Sequence, residues 1–201
     1  MTAPARNLLY AQLGFFACLG GCVALDRRGL WDNHGWSYYG GRSQTAFIYA
    51  AGFVLCIVFV VRGVALLDRP SAPAAFAQAL RVLALLLAVD LATPDTVNAF
   101  FYDVHIAASA VLFLFEFLFA VWIVGNPFPT RLGRALLALQ LAGGLLAMFS
   151  QLQALSLLGG GILLFQVSFG ALLVAATAHA SPVEIEPVPV AAAAGEARAG
   201  G

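Results

Sequence analysis

Seven residues are of types that do chemistry and sit in an otherwise apolar chain: Asp32, His34, Asp90, Asp103, His105, Arg81 and Glu116. Imidazole and carboxylate are the usual nitrogen and oxygen ligands of zinc, and the same groups act as general acids and bases. His34, Asp90, Asp103 and His105 are therefore candidates for a metal site or a hydrolase site. Their spacing gives little support to a metal: there is no HxxxH or HExxH pattern, and Asp103 and His105, two residues apart, face different sides of a helix. Nor is there a GxSxG motif, a phosphate loop, or a serine, histidine and aspartate in a recognisable sequence context. No cofactor is indicated.

The elements that position these residues follow from composition. Of 201 residues, 62% are hydrophobic and 10% charged, with a mean hydropathy of +0.91, whereas soluble proteins carry about 25% charged residues. The chain reads as an integral membrane protein. A span needs about 20 mostly apolar residues to cross the hydrocarbon. Six segments qualify: 8–25, 45–67, 74–92, 103–124, 134–151 and 157–178. The gaps "LDRPSAP", "LATPDTVN" and "GNPFPTRLGR" contain the proline, glycine and polar residues that end helices. The expected fold is all-α, a six-helix transmembrane bundle. Residues 1–7 form a cytoplasmic N-terminus, 26–44 the main extracytoplasmic loop, and 179–201 a disordered cytoplasmic tail rich in proline, alanine and glycine.

Arginine placement orients the bundle, because basic residues concentrate on the cytoplasmic side. With the N-terminus inside, Arg6, Arg62, Arg69, Arg81, Arg131, Arg134 and Arg198 fall on that side, and only Arg27, Arg28 and Arg42 fall outside. Both termini are thus expected in the cytoplasm of a multi-pass protein of the cell membrane. A minor alternative reads Leu19-Gly20-Gly21-Cys22 as a lipoprotein signal with Cys22 lipidated. All three cysteines lie in apolar runs, so no disulfide is expected.

The stretch "WDNHGWSYYGG", Trp31 to Gly41, is the most polar and aromatic-dense part of the chain. Its aromatics Trp31, Trp36, Tyr38 and Tyr39, with Phe101 and Tyr102, read as an interfacial belt, and Asn33-His34-Gly35 as a turn. Arg27, Arg28 and Arg42 on this loop face an acidic loop around Asp95, with Asp90 and Asp103 beside it, so the two are expected to dock by ion pairing. They either seal the bundle or roof a pocket. Deeper in, "VLFLFEFLFAVWIV" places Glu116 about 12 Å from the inner end of its span. A lone carboxylate there costs a few kcal/mol. Arg81 lies at a similar depth across an antiparallel hairpin and is the expected partner, with Gln140 and Gln166 completing a polar network. Such a pair either fixes helix register or serves as a proton or ion relay. Glycines 143–144 and 159–161 read as close-packing surfaces between helices.

The six-span layout, the first loop ending in "SYYGG", and a histidine opening the fourth span in "YDVHIAASAVLFLF" resemble the six-span proteins that include the DUF998 and Frag1/DRAM/Sfk1 families. The resemblance highlights Ser37, Tyr38, Tyr39, Gly40 and His105. It implies the architecture first and lipid-related work second. Arg81, Glu116 and the "WDNHGW" segment depart from that pattern.

With no basic run, nucleic acid is not expected as a partner. The leading expectation is a non-enzymatic protein whose outer aromatic and acidic face, Asp32, His34, Trp36, Tyr38, Tyr39, Asp90, Asp103 and His105, recognises a lipid, a small ligand or a membrane-protein partner. The alternatives are a membrane-embedded hydrolase or lipid-modifying enzyme using His34, Asp90, Asp103 and His105, and a carrier using Glu116. The orientation has a direct test. A cysteine replacing Ser43 is labelled by a membrane-impermeant maleimide on intact cells, and one replacing Thr2 only after permeabilisation; the reverse pattern inverts the topology.

Overall fold

The computed structural model describes residues 1–32, 34–67, 74–94, 97–153 and 156–180. Arg69, Asp95, Asn33 and the tail from Ser181, all used in the sequence reading, lie outside the described residues. The architecture is all-α. Long helices α1 (Ala3–Leu25), α3 (Ala46–Leu67), α4 (Ala74–Ala92), α5 (Ala99–Gly125), α6 (Arg131–Gln153) and α7 (Leu158–Ala180) alternate in direction, and a one-turn helix α2 (Ser37–Gly40) follows a 3-10 turn at Arg27–Leu30. All six long helices are long and apolar enough to cross a membrane. The protein is therefore built as a multi-pass membrane protein, its six long helices covering the spans that the hydropathy pattern predicts, with α1 starting at Ala3 and α5 at Ala99, ahead of the expected 8 and 103.

Local chemistry sets the helix ends. Pro4 lies in the first turn of α1, where its missing N–H costs no intrahelical bond. Asn98 caps α5 by accepting from the Phe101 N–H at 3.0 Å, and Thr130 does the same for the Gly133 N–H ahead of α6 at 3.0 Å. Asp26 ends α1 and caps the 3-10 turn, accepting from the Arg28 N–H at 3.1 Å.

The helices form a ring in which α1 touches α3 and α7, α4 bridges α3 and α5, and α5 returns to α7, with α6 lying along α7. Backbones in the α6–α7 pair touch. A Cβ on Gly143 would lie 2.5 Å from the Phe165 nitrogen, and one on Gly161 2.5 Å from the Ala147 nitrogen. Close approach of this kind replaces the hydrophobic effect as the source of helix association in lipid. The α1–α3 pair uses the same device in isolated form, with Gly52 against Cys18. Because its glycines are scattered singly, the sequence did not announce it.

Two cores result. The larger lies toward the end that carries both termini and includes Leu8, Val64, Phe76, Phe119, Ile123 and Leu172. The smaller lies at the opposite end, here called the loop end, and consists of Leu19, Cys22, Trp36, Tyr38 and Tyr39. The belt expectation is thus corrected for three residues. Trp36, Tyr38 and Tyr39 are buried, Trp36 against Phe15 and Phe16 at 5.8 and 6.2 Å between ring centroids, while Trp31 stays 63% exposed and Tyr102 is exposed. The segment after the 3-10 turn folds back into the helix ends rather than lying along an interface. Cys22 is buried inside α1, its thiol directed at the Thr45 carbonyl at 3.7 Å.

The glycine contacts generate a paired prediction. Gly161→Ala should destabilise the protein by about 1–3 kcal/mol through overpacking, whereas Gly160→Ala, whose Cβ meets nothing within 4 Å, should be neutral or mildly stabilising. Thermal unfolding of the purified variants in one detergent compares them; equal effects would remove the backbone-contact account of α6–α7.

Candidate functional site

The loop end is held by a compact set of bonds within residues 22–45. Arg28 grips Asp26 through Nε and Nη2, both at 2.9 Å, and the Tyr38 hydroxyl donates to the same carboxylate at 2.8 Å. Arg42 stacks over the Tyr38 ring, 4.5 Å from its centroid, and Thr45 Oγ1 donates to the Tyr39 carbonyl at 2.7 Å. The Arg28 and Tyr38 hydrogen bonds hold the Asp26 carboxyl well below the usual carboxylate range. Burial, and then its acidic neighbours, push the Tyr39 phenol up to about 12. At Gly35 the chain turns with φ +60, a left-handed conformation that suits glycine. A Cβ there would also meet Ile162 of α7 at 2.9 Å, so the turn rests on the first turns of α7.

Beneath this roof lies a cavity of about 690 Å³, within the size range of small-molecule sites. Trp36, Ser37 and His34 line it at the loop end, and core residues Cys56, Val60, Leu83, Leu112 and Phe169 form its floor. From His105 to Glu116, both on its wall, the cavity runs about 16 Å along α5. Most of the wall is apolar. Its lining residues on α1, α3, α4 and α7 are buried or half-buried, but Tyr102, Ile106 and Ala110 on α5 and Met148 and Gln151 on α6 are exposed as well as lining. Ile106 is 52% and Met148 49% exposed. The cavity is therefore open sideways between α5 and α6.

Polar groups gather at its two ends. At the loop end, Ser37 Oγ lies 2.7 Å from His105 Nε2, and His105 Nδ1 faces Asp90 Oδ1 at 3.7 Å. Ser109 Oγ donates to Asp90 Oδ1 at 2.5 Å. His105 is 7% exposed, and its Nδ1 has no hydrogen-bond partner. At the far end, Glu116, 2% exposed, accepts from Gln166 Nε2 at 2.8 Å.

The predicted site residues fall into distinct places. Asp32 and His34 form a rim pair, Nδ1 to Oδ1 2.6 Å, with the His34 N–H also donating to Asp32 at 2.9 Å. Burial pushes the Asp32 carboxyl up, but these His34 bonds outweigh it and leave it below its ordinary value. Trp36 lines the cavity, and Tyr38 and Tyr39 pack behind it in the loop-end core. Asp90 and His105 meet on the wall, whereas Asp103 is exposed and does not line this cavity. The four-residue metal or hydrolase set therefore splits, because Asp103 and His105 leave α5 in different directions; among the described residues no three histidine, cysteine or acidic side chains converge as a metal site.

The expected docking of the basic loop centres on Asp95, which lies outside the described residues; among the described residues Arg28 turns to Asp26 of its own segment, and Ser37 and His105 join the two halves. The expected intramembrane pair is corrected. Arg81 does not meet Glu116. The register is as expected, since the Asp90–Ser109 bond levels α4 with α5 and puts Arg81 and Glu116 within about 3 Å in depth. The azimuth differs: Arg81 shares the exposed stripe of Gln78, Leu85 and Val89 and donates to Gln78 Oε1 at 3.3 Å, while the buried stripe runs through Leu80 and Ala84. Of the two glutamines, Gln166 binds Glu116 and Gln140 is buried with neither amide atom bonded. Ser37, Ser109 and Gln12 on the cavity wall are functional candidates that residue chemistry alone did not single out; only the family resemblance pointed to Ser37.

The roof predicts a pH signature. Asp26 has a depressed folded-state pKa, so its stabilisation is fully present above the unfolded carboxylate value of about 3.9 and is lost only as the pH falls below it toward the folded value. Asp26→Asn should therefore melt at a lower temperature than wild type at neutral pH, the difference persisting to about pH 4 and shrinking under stronger acid. A gap that closes already between neutrality and about pH 5 would place the titration elsewhere. Compared with protein-family profiles, curated proteins and solved structures, the chain matches none.

Proposed function

We propose that this multi-pass protein binds the acyl chain of a lipid-like molecule in the cavity beneath the 26–45 segment, with the polar end of the ligand at Ser37, His105 and Asp90. The observation that carries this reading is the sideways opening between α5 and α6, flanked by Ile106 and Met148. A water-soluble ligand has no use for an entrance on the lipid-facing flank, whereas a membrane lipid needs one. Apolar walls with polar groups confined to the ends match an amphipathic ligand. In the orientation that the arginines favour, the entrance lies in the outer leaflet of the cell membrane. Lipid-related work is also what the resemblance to the DUF998 and Frag1/DRAM/Sfk1 proteins implies.

Ala110 is exposed, lines the cavity and stands beside the opening, so Ala110→Trp fills the space without cutting a polar contact. Wild-type protein purified in mild detergent should retain about one equivalent of acyl lipid by mass spectrometry of the intact protein. Ala110→Trp should lose it while keeping its melting temperature within a few degrees. Equal lipid retention in the two proteins, or none in either, contradicts the reading.

A further inference from the structure

Ser37, His105 and Asp90 come from three separate elements, α2, α5 and α4, and meet on the cavity wall. Their order along the relay is that of a nucleophile, its base and the group that positions the base. If Ser37 donates its proton to His105, Nε2 is the acceptor, and the proton of the neutral ring sits on Nδ1, the nitrogen facing Asp90. That Nδ1 is buried and has no hydrogen-bond partner. The 3.7 Å to Asp90 Oδ1 is about 1 Å beyond a hydrogen bond, a looseness common in sites without substrate. Ser109 donates to the same oxygen, Asp90 Oδ1, and so fixes the carboxylate facing His105.

A purely structural seal needs only the Ser37–His105 bond. Here a buried carboxylate, itself held by Ser109, also stands opposite the second ring nitrogen, and all three groups border a chain-sized cavity. We infer that Ser37 is an acyl-transfer nucleophile, His105 its general base and Asp90 a positioning residue, and that the substrate is a carboxylic ester of a long acyl chain. This departs from the non-enzymatic expectation and rests on the cavity holding that chain.

The chemistry balances with water as co-reactant. Ser37 Oγ attacks the ester carbonyl carbon as its proton passes to His105 Nε2. The tetrahedral adduct collapses, breaking the bond to the alcohol oxygen, which takes the proton from His105 and leaves over the exposed His34 rim. Water then enters and gives a proton to His105. It attacks the acyl-serine carbonyl, and the fatty acid departs as Ser37 recovers its proton. The chain stays in the apolar cavity through both halves, its carbonyl at the loop end.

Full-length protein in lipid nanodiscs, treated with a long-chain alkyl fluorophosphonate, should acquire one phosphonyl adduct on the peptide containing Ser37. It should also hydrolyse a fluorogenic long-chain acyl ester. His105→Gln should slow adduct formation about 100-fold or more. Ser37→Cys, which keeps a polar atom toward His105, should melt like wild type, lose the phosphonyl adduct and react instead with a long-chain iodoacetamide. Asp90→Asn, which preserves shape, should slow the adduct without releasing bound lipid, a combination that a merely structural role would not give. Wild-type protein that retains its lipid yet forms no adduct on Ser37, or His105→Gln that reacts as fast as wild type, overturns the catalytic assignment while leaving the binding reading intact. Wild-type protein that retains no acyl lipid, or Ala110→Trp that retains as much as wild type, would remove both.

Discussion

Among the described residues, the Ser37–His105 hydrogen bond ties the 26–45 segment to the α4–α5 half of the bundle, and the shape of the loop end depends on it. Several other polar side chains of that segment are satisfied internally among the described residues: Asp26 by Arg28 and Tyr38, Thr45 by the Tyr39 carbonyl, Asp32 by His34, whereas the buried Tyr39 hydroxyl has no hydrogen-bond partner. Such closure is what a segment folded against membrane helices requires, since a buried polar group without a partner costs several times what a bond contributes. The segment acts as a lid on the helix ends, resting on α7 at Gly35 and on α1 through Trp36, and the Ser37–His105 bond joins it to α5. That bond falls on the edge of a cavity rather than inside a packed core, which gives it a consequence beyond stability.

The cavity exists because the two ends of the bundle are packed by different means. Toward the termini, Phe76, Phe119 and Trp122 mesh with Phe169 and the leucines around it. Toward the loop end, Trp36, Tyr38 and Tyr39 fill the space above α1 and α3. Between them, α6 is drawn to α7 by Gly143 and Gly161, and its weaker contact with α5 leaves the lateral opening. A glycine face on one side of α6 thus accounts for a doorway on the other. Glu116 and Gln166 then sit where that apolar space would otherwise end in hydrocarbon alone.

The six spans were legible in the sequence because length, hydropathy and helix-breaking residues act locally, whereas their starts were not, since α1, α5 and α6 extend past the apolar runs into flanking residues. Depth was legible too, as the levels of Arg81 and Glu116 show, since rise per residue is constant. Azimuth was not. A helix apolar on every face gives no moment to say which stripe looks inward, so Arg81 looked like a partner and proved to lie on the outer surface. The loop aromatics misled for a related reason: tryptophan and tyrosine suit an interfacial belt and a buried lid equally well, and only the fold-back at Gly35 distinguishes the two. Ser37 and Ser109 were invisible as chemistry because single serines are unremarkable until a histidine and an aspartate, 68 and 19 residues away from them respectively, close on them.

The central claim is that a lipid chain occupies the interior of the bundle, and photocrosslinking from within the bilayer measures this most directly. A lipid with a diazirine near the middle of its acyl chain, incorporated with the full-length protein and irradiated, should mark interior wall residues such as Phe53, Cys56 and Leu83, which no surrounding lipid can touch. Crosslinks confined to outward residues such as Leu85, Leu114 and Leu118, with none on the wall, would contradict the account.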